Sequence, residues 1–455
     1  MGILHAQRLW DASDFGARLK IEGHSKQMRM GGTGKMDKKT KGSWLIHHTN
    51  KLQGVTNQVG YEKTYLAGKA GILLSAISAN KQITVNNDRL TVLAQAANIN
   101  TTFELPKLVE VLEHQKLVDK SSGGIAVLGV TTATALERTS DIFDALSPNL
   151  NEVASITLAE RASVAPVLAN EVTQELADTY KLASANLSQL LSDAEQIGFV
   201  DTEKLSSTDT LLFNGNLFRR DTTQKIKAVL DSLKSAEQTK LNELTEMLRK
   251  RACVTADFAK QFLGDALFQK ITAIGLFDIS VVSNSTEDVG FLTLPSAFSK
   301  YSNSMVDDAF DLAKAFVSSV TYGMTKSNYA RGQIQMVDAL LSALVRGESV
   351  GPVRAIAEDY KVLELKGVVE VKQGTKKGRT GPMLRLLKTE VGELALQAIR
   401  QGDVSEHSLN ALPTAAVTTF SGPEHNREKV RRTQTKMSPK ATNDMLSILR
   451  TGGGL

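Results

Sequence analysis

The chain has 455 residues, enough for two to four domains at roughly 100 to 200 residues each, and its 42% apolar and 23% charged residues exclude a wholly disordered polymer. Aromatics are only 5%, with Trp10 and Trp44 the two tryptophans, which excludes a surface rich in stacking platforms for single strands or sugars. The formal net charge is +5, yet Lys26–Lys41, Lys361–Lys388 and Arg427–Lys440 together carry a net +16 and leave −11 on the remainder, a segregation that draws a polyanion to particular stretches and repels it elsewhere.

The amino terminus, MGILHAQRLW, has no apolar run of signal-peptide length, and Ala6 stands where a myristoylation pattern needs Ser or Thr. No window approaches the roughly 18 apolar residues of a membrane span. Cys253 is the only cysteine and lies between Ala252 and Val254, so a buried structural thiol in a reducing, cytoplasmic setting is expected, with no membrane partner. Residues 1–60 lack sustained periodicity and are expected to form a flexible basic arm, in which Lys38, Lys39 and Lys41 follow Gly34-Lys35. That dipeptide is not a phosphate loop, because Arg29 stands where the first glycine is required and Met36 where Ser or Thr is.

From Tyr65 one order of elements recurs: a helix, a short apolar-Thr step, two more helices, then two strands around a polar turn. The first copy, in residues 61–150, has Ile83-Thr84-Val85, helices Asp88–Ala97 and Leu105–Lys116, and a hairpin from Leu117 to Val130. The second, in 151–221, has Val172-Thr173 as its step, a helix Ala185–Ile197, Gly198-Phe199-Val200 opening a strand and Leu211-Leu212-Phe213 returning. A continuous helix is expected from Thr222 to Lys250, leading the third copy of 222–301. There Thr255 is placed to cap a helix from Ala256 to Phe262, and Gly264 and Gly275 break the chain before strands Leu276–Val282 and Val289–Leu294. The fourth, in 302–417, has helices Met305–Val320, Gln333–Arg346 and Val353–Leu365, and strands Gly367–Val371 and Met383–Leu387. Residues 418–455 are polar and basic and are expected to be a mobile tail.

Three helices closed by a hairpin, with Val-Thr or Ile-Thr openings, resemble the winged helix-turn-helix superfamily over most of residues 65–390. The expected fold class is mostly α with small β-hairpins, in tandem winged-helix units. The resemblance implies that a third helix and a hairpin wing meet DNA, so those positions must be basic or uncharged polar. The second unit fails, since Asn151–Phe218 holds ten acids against Arg161, Lys181 and Lys204, with Asp193 and Glu195 on its third helix; a protein partner is expected there. Glu287 and Asp288 argue the same for the third unit. The fourth hairpin carries Lys372, Lys376, Lys377, Arg379 and Arg385 among Gly374, Gly378 and Gly381, a basic wing suited to phosphate. With Lys38, Lys39, Lys41, Arg431 and Arg432 these are the candidate nucleic-acid-binding residues.

The seven histidines include the adjacent pair His47-His48, but none has metal-ligand spacing, and no nucleophile elbow or dinucleotide fingerprint occurs. No cofactor is expected. The sequence therefore favours a cytoplasmic, non-enzymatic subunit of a larger complex that binds nucleic acid, duplex DNA before others. The alternatives are a purely structural scaffold, as in a DNA-maintenance or phage-defence assembly, and a hydrolase whose carboxylates converge only in three dimensions.

Overall fold

Helices and four small antiparallel sheets alternate along the chain, so the mostly-α class with small hairpins holds. The computed structural model describes residues 36–55, 59–79, 84–206, 208–284, 287–301 and 307–406. The arm to residue 35, Ile83, and the tail with Arg431 and Arg432 lie outside the described residues.

The first unit comprises α1 (Lys38–Leu52), α2 (Glu62–Ser78), β1 (Thr84–Val85), α3 (Asn87–Ala96), α4 (Leu105–His114), β2 (Val118–Ser121), β3 (Gly124–Val127) and α5 (Thr132–Ala145). The expectation of a flexible arm is corrected from Lys38 on, because α1 is buried from Gly42 to Thr49. A helix buried on all sides has no polar face, so it shows no 3.6-residue period to read. Glycines let α1, α2 and α5 approach closely: a Cβ on Gly42 would lie 1.9 Å from the Leu136 carbonyl oxygen, and one on Gly71 2.1 Å from Thr139 Oγ1. Glu152 joins the next unit to this bundle. Its carboxylate is fully buried and accepts from the backbone N–H groups of Lys63 and Thr64, both at 2.8 Å, and of Asn149 at 3.0 Å, closing the exposed starts of two helices at once.

In the second unit, α6 (Leu150–Val164) leads to β4 (Val167–Leu168), α7 (Ala169–Tyr180), α8 (Ser184–Ile197), β5 (Asp201–Lys204) and β6 (Thr210–Phe213). The step expected at Val172-Thr173 is corrected to Val167-Leu168, which pair with Leu212 and Leu211. Pro166 forces Ala165 into extended backbone and ends α6, while Val172 and Leu176 are the buried face of α7. The strand begins at Asp201, since Gly198 closes α8 with φ +83°.

The third unit follows α9 (Thr223–Asp231) with α10 (Ser235–Arg251), β7 (Cys253–Thr255), α11 (Ala256–Leu263), α12 (Asp265–Ala273), β8 (Asp278–Ser283), β9 (Asp288–Thr293) and α13 (Pro295–Ser299). The single helix expected from Thr222 to Lys250 is broken before Ser235. Lys234 is extended and its N–H donates to Glu237 Oε2 at 2.9 Å, starting a new helix. Thr255 caps α11, accepting from Phe258 N at 3.3 Å. Its counterparts are Asn86 and Leu168, so Thr84 and Thr173 are not equivalent to it.

The fourth unit runs α14 (Asp307–Thr325), α15 (Val337–Val345), α16 (Ala355–Asp359), α17 (Lys361–Leu365), β10 (Val369–Lys376), β11 (Arg379–Leu386) and α18 (Thr389–Gln401). The expected helix Val353–Leu365 is split at buried Tyr360, whose ring meets Phe316 edge-on at 6.2 Å. Val350 bridges Leu384 in the place that a first strand holds in the other units. In those three units the last strand lies between the first two, with orders β1-β3-β2, β4-β6-β5 and β7-β9-β8, and no sheet joins two units among the described residues. One continuous core takes in Ala165 and Phe213 and runs through the third and fourth units to Val404, so residue 302 marks no gap between cores. No helix among the described residues is long and apolar enough to cross a membrane.

Candidate nucleic-acid interface

The β10–β11 hairpin is eight residues deep on each side and closes in a two-residue turn, with φ +51° at Lys377 and +73° at Gly378. Positive φ at both positions matches the right-handed twist of the strands, and Gly378 takes it without strain. Register then sorts the side chains. Val369 faces Leu386 and Val371 faces Leu384 on one side, all four buried, so this side seals the core. The other side presents Lys372, Lys376, Arg379 and Arg385 together with Glu370, which stands opposite Arg385, and Met383, with Gly374 opposite Gly381 between them. Four of the five cations expected here therefore share one face, and Lys377 stands at the tip.

Lys372 lies 2.7 Å from Glu370, and Lys376 Nζ donates to the Ser349 carbonyl oxygen at 3.0 Å. Lys377, Arg379 and Arg385 are exposed, and their side chains make no ion pair or hydrogen bond with a described residue. Lys376 stands directly opposite Arg379, and like charges in that position repel. The arm lysines differ. Lys38 pairs with Asp141 at 2.6 Å, Lys39 with Asp403 at 3.0 Å, and Lys41 with Asp144, so each is answered by an acid of its own chain. Asp141 and its hydrogen bond push the Lys38 ammonium above its ordinary pKa.

The acidic hairpin of the third unit meets the fourth through two side chains. Tyr322 donates to Glu287 Oε1 at 2.8 Å, and Asn284 Nδ2 reaches Asp359 Oδ1 at 3.4 Å. Asp359 takes both guanidinium nitrogens of Arg331, at 3.0 and 2.5 Å, and Arg331 lies 5.4 Å over the Tyr322 ring. Glu287 thus contacts the fourth unit while it and Asp288 stay exposed. On α8, Asp193 accepts from Gln189 and Glu195 from Thr202, while Leu187 and Leu190 are buried.

Trp44 Nε1 donates to Glu160 Oε2 at 2.6 Å, and Lys300 Nζ reaches the same oxygen at 2.5 Å. Burial alone drives the Glu160 carboxyl up, but Lys300 and Trp44 outweigh it and hold it below its ordinary value. His47 and His48 are both buried, and His48 stacks on Phe199 at 3.8 Å with neither ring nitrogen bonded. Burial, with Lys51 nearby, lowers the pKa of His47 to about 3, and burial lowers that of His48 well below 6.5. Cys253 is buried against Thr321 Oγ1 at 3.1 Å, and burial pushes its thiol up to about 12.

No group of three or more His, Cys, Asp or Glu placed to hold a metal occurs among the described residues. No family model matches the chain, and no curated protein matches it. Function is therefore argued from the site itself. The cluster of cations was legible but its shared face was not, since the strands were expected to stop at Val371 and resume at Met383, whereas they run to Lys376 and from Arg379. Nor was the Arg331–Asp359 pair, since neither residue belongs to a motif and their separation of 28 positions is closed only by the fold.

Proposed function

We propose that the chain is a non-enzymatic nucleic-acid-binding subunit that holds duplex DNA through the β10–β11 hairpin, used as the wing of a winged-helix unit. The observation that carries this reading is the facing pair Lys376 and Arg379 with Lys377 between them at the tip. Three cations crowded without a carboxylate partner lower the stability of the hairpin, and a phosphate backbone relieves that repulsion. Lys372 and Arg385 lie further along the same face on either side of Glu370, while Gly374 and Gly381 make room for Met383 and Pro352 of the chain itself. The winged-helix assignment is supported by the recurring order helix, strand, two helices, hairpin in the first three units, with the first strand against the last.

A scaffold role is the second reading, favoured by Glu287 and Asn284, which show one hairpin of this chain already serving as a docking element. Binding of a labelled duplex to the full chain decides between the two. Replacement of Lys372, Lys376, Lys377, Arg379 and Arg385 with Ser is expected to abolish it. Undiminished binding in that variant would overturn the assignment to this hairpin, and absence of duplex binding by the unaltered chain would favour the scaffold.

A further inference from the structure

Under the tip of the β10–β11 hairpin lies a cleft of about 630 Å³, edged by Lys376, Lys377 and Arg379 and floored by Ile334, Val353 and Ile356. Its volume falls within the roughly 300–1,000 Å³ of small-molecule sites. Every charge at its mouth is positive. The one acid in its wall, Asp359, has a side chain 1% exposed and is neutralised by Arg331, so it offers a ligand no free negative charge. An apolar floor beneath a cationic rim matches one ligand chemistry: a compact apolar body ending in a carboxylate, sulfonate or phosphate.

We propose that this cleft is a site for a small amphipathic anion, whose acidic group takes the same three cations that the hairpin offers to nucleic acid. Ligand and duplex then exclude one another, and the cleft is the point at which a metabolite-sized anion releases the polyanion. The competition rests on the nucleic-acid reading; the cleft itself does not.

The probe is 8-anilinonaphthalene-1-sulfonate, titrated into the full chain by fluorescence, beside the uncharged N-phenyl-1-naphthylamine. One saturable sulfonate site is expected. Gln335 is exposed at the cleft wall, so Gln335→Trp narrows the cleft without disturbing a core, and it is expected to weaken both probes about tenfold or more. Lys377→Gln with Arg379→Gln is expected to weaken the sulfonate about tenfold and leave the neutral probe unchanged. Sulfonate binding indifferent to Gln335→Trp, or equal losses for both probes on removing the cations, overturns the site. A sulfonate held as expected but not displaced by saturating duplex overturns the competition alone. Duplex binding that depends on the hairpin cations, beside a sulfonate indifferent to Gln335→Trp, overturns the cleft and leaves the nucleic-acid reading standing.

Discussion

Lys376 and Arg379 face one another across the last pair of the β10–β11 hairpin, and neither has a carboxylate within ion-pair distance among the described residues. A stabilising design would set opposite charges there, at a gain of about 0.2–1 kcal/mol. The fold forgoes that gain at the most exposed point of the hairpin.

Arg379→Glu is therefore expected to raise thermal stability slightly, by a few tenths of a kcal/mol, while sharply weakening duplex binding. Calorimetry and anisotropy on the same preparation check it. A variant that loses both stability and binding would point to a structural role for Arg379.

The affinity of the unaltered chain for duplex should fall steeply with salt, with a slope of about −0.9 per phosphate neutralised. Removing the five hairpin cations should flatten that slope by several units. Replacing Lys38, Lys39 and Lys41 should change it little, because their charges are already met by Asp141, Asp403 and Asp144.

His47 and His48 should make the fold sensitive to mild acid. In the unfolded chain both bind a proton near pH 6.5; in the folded chain His47 does so only at about 3, and His48 only well below 6.5. Above pH 6.5 neither residue affects stability. As pH falls below that point, the unfolded state gains protons that the folded state refuses, and stability drops by about 1.4 kcal/mol per pH unit for each histidine. His48→Phe, which keeps a ring on Phe199, should halve the slope between pH 6 and 5 in urea titrations; an unchanged slope would mean that His48 is protonated in the native state.

Glu152→Gln should destabilise the chain by about 2–4 kcal/mol, since the amide keeps one acceptor oxygen and sets an NH2 donor against a backbone N–H that the other carboxylate oxygen had satisfied. Denaturant midpoints measure it. Loss of under 1 kcal/mol would show that those helix starts find other acceptors.

Gly71→Ala pits helix propensity, worth roughly 0.5–1 kcal/mol in favour, against a Cβ 2.1 Å from Thr139 Oγ1. The clash should win, with a net loss of about 1–2 kcal/mol. Thr139→Ala in the same chain should recover part of it, a coupling visible in a double-mutant cycle.

How much of this was legible in the sequence follows from the range of the forces. The two helices from Ala256 to Ala273 were readable nearly residue by residue, because Thr255, Gly264 and Gly275 act on their own backbone neighbours. The basic hairpin was readable as a hairpin, but its strands run five residues further on one side and four on the other than the expected ends at Val371 and Met383. What escaped was set by distant partners. Residues 42–49 became core because α2, α5 and α6 surround them, and the break before Ser235 hinged on Glu237 turning back to Lys234 in a stretch whose leucines kept helical spacing. The cleft draws its walls from residues 323 to 384, a convergence that no single stretch announces.

Lys39 Nζ also reaches Gln401 Oε1 at 2.6 Å, besides Asp403, so the first described helix is fastened to the end of the last. A row of units with free ends frays inward from them, each outer unit opening at lower cost than the inner ones. A row clasped end to end has no outermost member. Local opening of α1 or α18 must break the clasp first, and hydrogen exchange at the two extremities of the described chain should rise and fall together rather than independently.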